Sequence, residues 1–187
     1  SGDGQTALVG ASFDDTGANS NQGAAYVFVR SGSSWAQQAK LVAGDGAASD
    51  QLGYRVSLSG DGQTALMGAL GDDTGRGSTY VHARSGSTWS QQAKLVAGDG
   101  SPVDGLGCSL SVSPDGQTAL IGALGDDSSR GAAYVFVRSG SSWTQQAKLV
   151  ASDGAAGDYF GRSVSLSGDG QRALVGAERD DSLRGSA

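Results

Sequence analysis

Cysteine and histidine are each present once, as Cys108 and His82. A single cysteine cannot form an intrachain disulfide, so pairing says nothing about the redox compartment. A hydrolytic triad needs a base aligned with a nucleophile, and neither residue stands in a recognisable motif, so the chain is expected not to be an enzyme. Proline is nearly as scarce, with 2 residues against 32 glycines. That excludes collagen-like chains and leaves a composition of short strands joined by tight turns. Lys and Arg number 13 against 19 acidic residues, for a net charge of −6. Nucleic-acid binding needs a basic stripe, whereas the basic residues here recur once per repeat, so no nucleic-acid partner is expected. No apolar run approaches the roughly 18 residues of a membrane span, so no membrane insertion is expected, and the N-terminus shows no signal-peptide pattern. The chain opens at Ser1 in mid-repeat without a methionine; it is expected to be a processed product or a piece of a longer protein.

What is abundant is repetition. Close copies of the stretch from Phe160 to Ala177 recur upstream, and its Gly-Asp-Gly turn begins at Gly2, Gly60 and Gly168, with Pro114-Asp115-Gly116 as a variant. The intervals are 58, 54 and 54 residues. The longer first interval is one loop insertion, since 13 positions separate Gly10 from Gly23 against 9 from Gly68 to Gly77. A period near 50 residues is that of a propeller blade, while helical repeats are shorter. Counted from the turn, the units are 1–59 (lacking a first strand), 60–113, 114–167 and 168–187 (first two strands only), a single repeat domain over 1–187.

Each repeat resolves into four apolar runs separated by Gly-rich turns, the pattern of a four-stranded blade. The first, Arg55 to Ser59 and its copies, alternates apolar and small polar residues, which puts one face in a core. Asp61-Gly62, Asp115-Gly116 and Asp169-Gly170 then suit a tight hairpin. The second run, Ala65 to Ala69, is apolar almost throughout, as for a strand covered on both faces. The third, Ala24 to Arg30, Ser78 to Arg84 and Ala132 to Arg138, is rich in aromatic and β-branched residues. The fourth, starting at Trp35, Trp89 and Trp143, is the most polar, as an outer edge should be. The count is thirteen strands, so the fold class expected is an all-β propeller of four-stranded antiparallel blades, about 3.25 of them in this chain. The partial ring is expected to be completed by another copy or by further chain.

These residues resemble the FG-GAP repeat of integrin-like β-propellers, in a divergent bacterial-type variant. Its Phe-Gly stands at Phe160-Gly161 and is replaced by Leu52-Gly53 and Leu106-Gly107. Its Gly-Ala recurs at Gly10-Ala11, Gly68-Ala69, Gly122-Ala123 and Gly176-Ala177, while its proline is replaced by Ser12, Leu70, Leu124 and Glu178. The resemblance implies a non-enzymatic binding, adhesion or scaffold module, extracellular or at the cell surface, with a protein or glycan ligand. It also implies calcium between the first and second strands, but the loop Ser59 to Thr64 keeps a single Asp and departs from that pattern.

The better calcium candidates are the paired acids of the next loop: Asp14 and Asp15, Asp72 and Asp73, Asp126 and Asp127, Asp180 and Asp181. Two adjacent carboxylates with loop carbonyls suit a hard cation; alternatively one Asp caps the turn and the other is solvated. Paired acids also serve glycoside cleavage, where two carboxyls face each other across a bond, but adjacent Asp residues in four equivalent loops read as architecture. Asp45 and Asp50, with their copies, are expected to fix the crossover between blades. The recurring Tyr26, Tyr80, Tyr134 and Trp35, Trp89, Trp143 could stack on sugar rings, but a residue repeated in every blade reads rather as core or rim packing between blades, and His82, at the position of Phe28 and Phe136, as a substituted core or edge residue. Two other functions remain open: a homo-oligomer that builds a ring or filament by complementing its open ends, and an accessory segment of a larger polysaccharide-active enzyme.

Overall fold

Each repeat folds as its residue alternation dictates, into an antiparallel sheet with neighbours on its faces. The computed structural model describes residues 1–180 and 185–187. Among them run thirteen strands: β1 (Thr6–Ala11), β2 (Ala24–Ser31), β3 (Ser34–Leu41), β4 (Leu52–Leu58), β5 (Thr64–Ala69), β6 (Ser78–Ser85), β7 (Thr88–Leu95), β8 (Leu106–Val112), β9 (Thr118–Ala123), β10 (Ala132–Ser139), β11 (Ser142–Leu149), β12 (Phe160–Leu166) and β13 (Ala173–Ala177). They form one three-stranded sheet, β1-β2-β3, two four-stranded sheets, β4-β5-β6-β7 and β8-β9-β10-β11, and the two-stranded β12-β13, each in chain order. These are successive blades of an open propeller, all antiparallel.

The blade boundaries fall elsewhere than a count from the Gly-Asp-Gly turn puts them. Gly60 and Pro114 lie in hairpins inside a sheet, and the passage between blades falls at 42–51, 96–105 and 150–159. Within the hairpin the left-handed residue is Gly62, at φ +68°, and Gly116 and Gly170 repeat it. The Asp beside it serves the turn with its side chain: Ser59 Oγ and the Gln63 amide both donate to Asp61 Oδ1.

Burial follows the number of neighbouring blades. All six residues of β5 are buried, and Leu66 with Leu120, and Met67 with Ile121, are 0% exposed. Covering an aliphatic side chain of this size is worth about 1.5–3 kcal/mol. Leu174 at the same position of the last blade is 60% exposed, and Val9 of the first is 50% exposed. Leu faces the following blade and Met, Ile or Val the preceding one, so each end of the array shows one uncovered face.

The inner strands pack closely because of paired glycines. Gly53, Gly107 and Gly161 sit at φ +82°, +98° and +88°. A Cβ added to Gly10, Gly68 or Gly122 would collide with the carbonyl oxygen of Gly53, Gly107 or Gly161 of the next blade. The residue before that second glycine also ties the blades, since the amides of Leu52, Leu106 and Phe160 donate to Gln22, Arg76 and Arg130 carbonyls at 2.9–3.0 Å.

Candidate functional site on the loop face

Antiparallel blades put the 2–3 loops and the blade-to-blade crossovers at one end of every sheet and the hairpins at the other. The first end carries the paired Asp residues that the structure describes. In blade two, Asp72 is 7% exposed and its carboxylate lies 2.8 Å from Lys94 Nζ, which also meets Asp45 of the preceding crossover at 2.9 Å. The Tyr80 hydroxyl donates to Asp45 Oδ1 at 2.8 Å. Blade three repeats this with Lys148, Asp126, Asp99 and Tyr134 at 2.7–2.9 Å. In blade one Lys40 and Tyr26 both bind Asp14.

The electrostatics of the cluster is cooperative. Burial works against the Lys94 and Lys148 ammonium groups, but the hydrogen bonds they donate to the two carboxylates, with the contribution of the Tyr, outweigh it and hold both pKa values above that of free lysine. The same lysine bonds hold Asp45 and Asp99 below the usual carboxylate range, and Lys40, then Tyr26, does so for Asp14. Burial raises Tyr80 and Tyr134.

The two members of each acidic pair therefore diverge. Asp73 and Asp127, at φ 49° and 45°, point outward, with only Arg76 at 3.6 Å and Arg130 at 3.1 Å beside them. Asp15 accepts the Asn21 amide at 2.8 Å. Asp180 is half-buried, and Asp181 lies outside the described residues. Calcium takes six to eight oxygens, and no three of the described His, Cys, Asp and Glu residues gather as a metal would need. Asp14, Asp72 and Asp126 each lie against a lysine ammonium group, and so engaged they do not fit calcium.

The crossover acids divide the work expected of them. Asp50, Asp104 and Asp158 fix their own turns by accepting the amides of Ala47, Ser101 and Ala155 at 2.6 Å, while Asp45 and Asp99 reach into the next blade. Burial raises the Asp50 pKa.

The fourth strand holds a tie that the sequence reading missed. A bulge in β7 lies between the Val81 and His82 pairings and leaves Gln92 unpaired. Gln91 then reaches back to accept the Gly44 amide at 2.9 Å, and Gln92 reaches forward to accept Trp143 Nε1 at 3.0 Å. Trp89 on Gln38 and Gly98 on Gln145 repeat the pattern. The signal was the invariant Gln-Gln in Gln37-Gln38, Gln91-Gln92 and Gln145-Gln146.

One cleft on this face differs from its counterparts. It lies over the loop end of blade three, between the crossovers that enter and leave that blade, has a volume of about 620 Å³, and is walled by Pro102, Val103, Leu124, Tyr159 and the loop from Asp126 to Ser129. Val103 and Tyr159 hold φ 66° and 58°, where bulky residues are strained. Val103 is 75% exposed, and Arg179 stands 4.9 Å from the Tyr159 ring. The same crossover positions elsewhere carry Ser49 and Gly157, or Gln51 and Gly105.

Fold and repeated junctions define an open β-propeller built of four-stranded blades. Four stretches, 1–28, 35–82, 89–136 and 143–187, match the FG-GAP repeat, and the chain belongs to that family. No curated protein matches the sequence. Among solved structures it is similar to TolB from Acinetobacter baumannii, at 14% identity and a TM-score of 0.56 over 97% of this chain and 38% of that one. It is also similar to a candidate 6-phosphogluconolactonase from Bacteroides uniformis ATCC 8492, at 11% identity and a TM-score of 0.54 over 87% of this chain and 46% of that one. Both likenesses are of fold, and the chain spans less than half the length of either.

Proposed function

We propose that the chain is a non-enzymatic recognition module, working outside the cell as FG-GAP repeats generally do, whose ligand contacts lie in the cleft over the loop end of blade three. The observation that carries this is the pair Val103 and Tyr159. Bulky side chains at positive φ cost about 1–3 kcal/mol each and gather at functional sites, and these two wall the same cleft. An aromatic ring beside the Asp127 carboxylate and the Ser128 and Ser129 hydroxyls suits a glycan ring, which stacks one face and presents hydroxyls at its edge. Cys108 supports a role without catalysis, since it is fully buried and burial raises its thiol pKa. A glycan array is expected to give binding that Tyr159→Gly and Val103→Gly abolish without lowering the melting temperature. An empty array, or binding that survives both changes, overturns the reading. With lysine among the carboxylates, chelator and calcium are expected to leave binding and melting unchanged.

A second reading, assembly through the blade faces, has its own support in the exposed Val9 and Leu174. Light scattering separates the two: a species larger than the 18.6 kDa chain that Val9→Lys returns to monomer supports assembly, and a monomer alone removes it.

A further inference from the structure

The junctions between blades one and two and between blades two and three are built from the same ties, with one exchange. At the second, Tyr134 donates to Asp99, Arg138 to Thr64 and Trp143 to Gln92. At the first, Tyr80 donates to Asp45, Arg84 to Thr6 and Trp89 to Gln38. Between these contacts the second junction has Phe136, 3% exposed, and the first has His82, 4% exposed. Tyr80, His82 and Arg84 share one face of β6, and that face meets blade one. We propose that His82 is an acid-operated latch, holding blade one on blade two while neutral and releasing it when protonated.

Apart from the Val42 backbone, the surroundings of His82 offer a proton nothing to bind. Its Nδ1 has no hydrogen-bond partner among the described residues. Across the ladder it faces Ala65 in β5 and Gln91 in β7, and from blade one it meets Val42. The charged groups on the same face are Arg84, a cation, and the cluster of Lys94, Asp72 and Asp45, the last contributed by blade one; both carboxylates are already bound to Lys94. An imidazolium here adds a second cation beside Arg84 with no free carboxylate among those groups. Burial, opposed in part by the Val42 backbone, lowers the pKa to about 4. The folded value lies below that of the exposed ring, about 6.5. The latch is therefore fully closed above pH 6.5 and loosens as pH falls toward 4, with the opening constant rising on the order of 100-fold over that interval. The second junction has no such group, so acid opens the array at one joint.

His82 is the only histidine, so its imidazole proton resonances can be followed by NMR in the unmodified protein. Titration is expected to give a midpoint well below 6, with amide shifts of the same midpoint in 24–41 and 78–85 and none in 132–149. His82→Phe, which copies Phe28 and Phe136, is expected to abolish that transition. A midpoint near 6.5, or amide shifts spread equally over both junctions, overturns the proposal. So does an unchanged transition in His82→Phe; should that variant fail to fold, the titration of the native protein decides alone.

Discussion

A lysine surrounded by carboxylates and a phenol is the chemical unit repeated along the loop face, and its two acids are held very differently. Asp72 has a side chain only 10% exposed, against 66% for Asp73. Removing one partner of a buried pair strands the other and costs about 3 kcal/mol or more, while exposed pairs contribute about 0–1 kcal/mol. Lys94→Met is therefore expected to destabilise by about 2–3 kcal/mol in urea unfolding, the exposure of Asp45 softening the loss, and Asp73→Ala by less than about 0.5 kcal/mol. Equal effects would mean that Asp72 is not the anchored member. The pH dependence has two limits. Asp14, Asp45 and Asp99 have lowered folded pKa values, so their contribution is present above about 3.9 and is lost as pH falls through the folded values below it. Lys94 and Lys148 are raised, so theirs is complete below about 10.4 and is lost only as pH rises past it. The cluster holds across the neutral range, and a pH series on Lys94→Met is expected to be flatter than that of the native chain at both extremes.

At the scale of the strand, the close approach of β5 to β8 rests on Gly68 and Gly107. A methyl group at Gly68 meets the backbone of Gly107, which cannot swing aside as a side chain can, and at φ +98° Gly107 tolerates no Cβ itself. By contrast, Gly86 in the 3–4 hairpin has nothing within 4 Å of an added Cβ, and its φ of +62° makes alanine there cost about 1 kcal/mol. Thermal melts of Gly68→Ala and Gly86→Ala are expected to differ accordingly, with Gly68→Ala losing several kcal/mol or failing to fold. All thirteen strands were legible in the sequence because each is an alternating, continuously apolar or edge-like polar run and each hairpin carries its own Gly, signals confined to a few neighbouring residues. The partners of the Asp residues were not: Lys94 lies 22 positions beyond Asp72 and 49 beyond Asp45, and only the stacking of two blades brings the three together. The Gln pairs were hidden for a related reason. A polar outer strand reads as protection of an edge, and only the bulge at Gln92 reveals that the two side chains point to opposite neighbours.

Across the whole molecule, stability is expected to follow the number of complete junctions, as in any array whose units touch only their neighbours. Blades two and three share the full set of glycine, tyrosine, arginine and tryptophan ties. Blade four reaches blade three through β12 and β13, by the Phe160 amide on Arg130, the Ser109 hydroxyl on the Gly161 carbonyl at 2.7 Å, the Leu166 amide on Ser111, and a small apolar cluster in which Val175, 7% exposed, meets Leu120 and Ala133. Asp153 and Gln146, whose counterparts Asp99 and Gln92 bind the next blade, are at the solvent side of that junction. Local opening draws on the segments with fewest buried contacts, so amide exchange is expected to be fastest in 160–177, slower in 6–41 and slowest in β5 and β9. Val175→Ala removes two buried methyl groups from the cluster that seats β13, a loss of about 1–3 kcal/mol by the usual cost of truncating core side chains. It is expected to speed exchange in 160–177 by about 10-fold or more while β5 keeps its native rate, since 1.4 kcal/mol corresponds to a factor of 10. Exchange that accelerates equally in β5 would show that the blades unfold as one cooperative unit and not junction by junction.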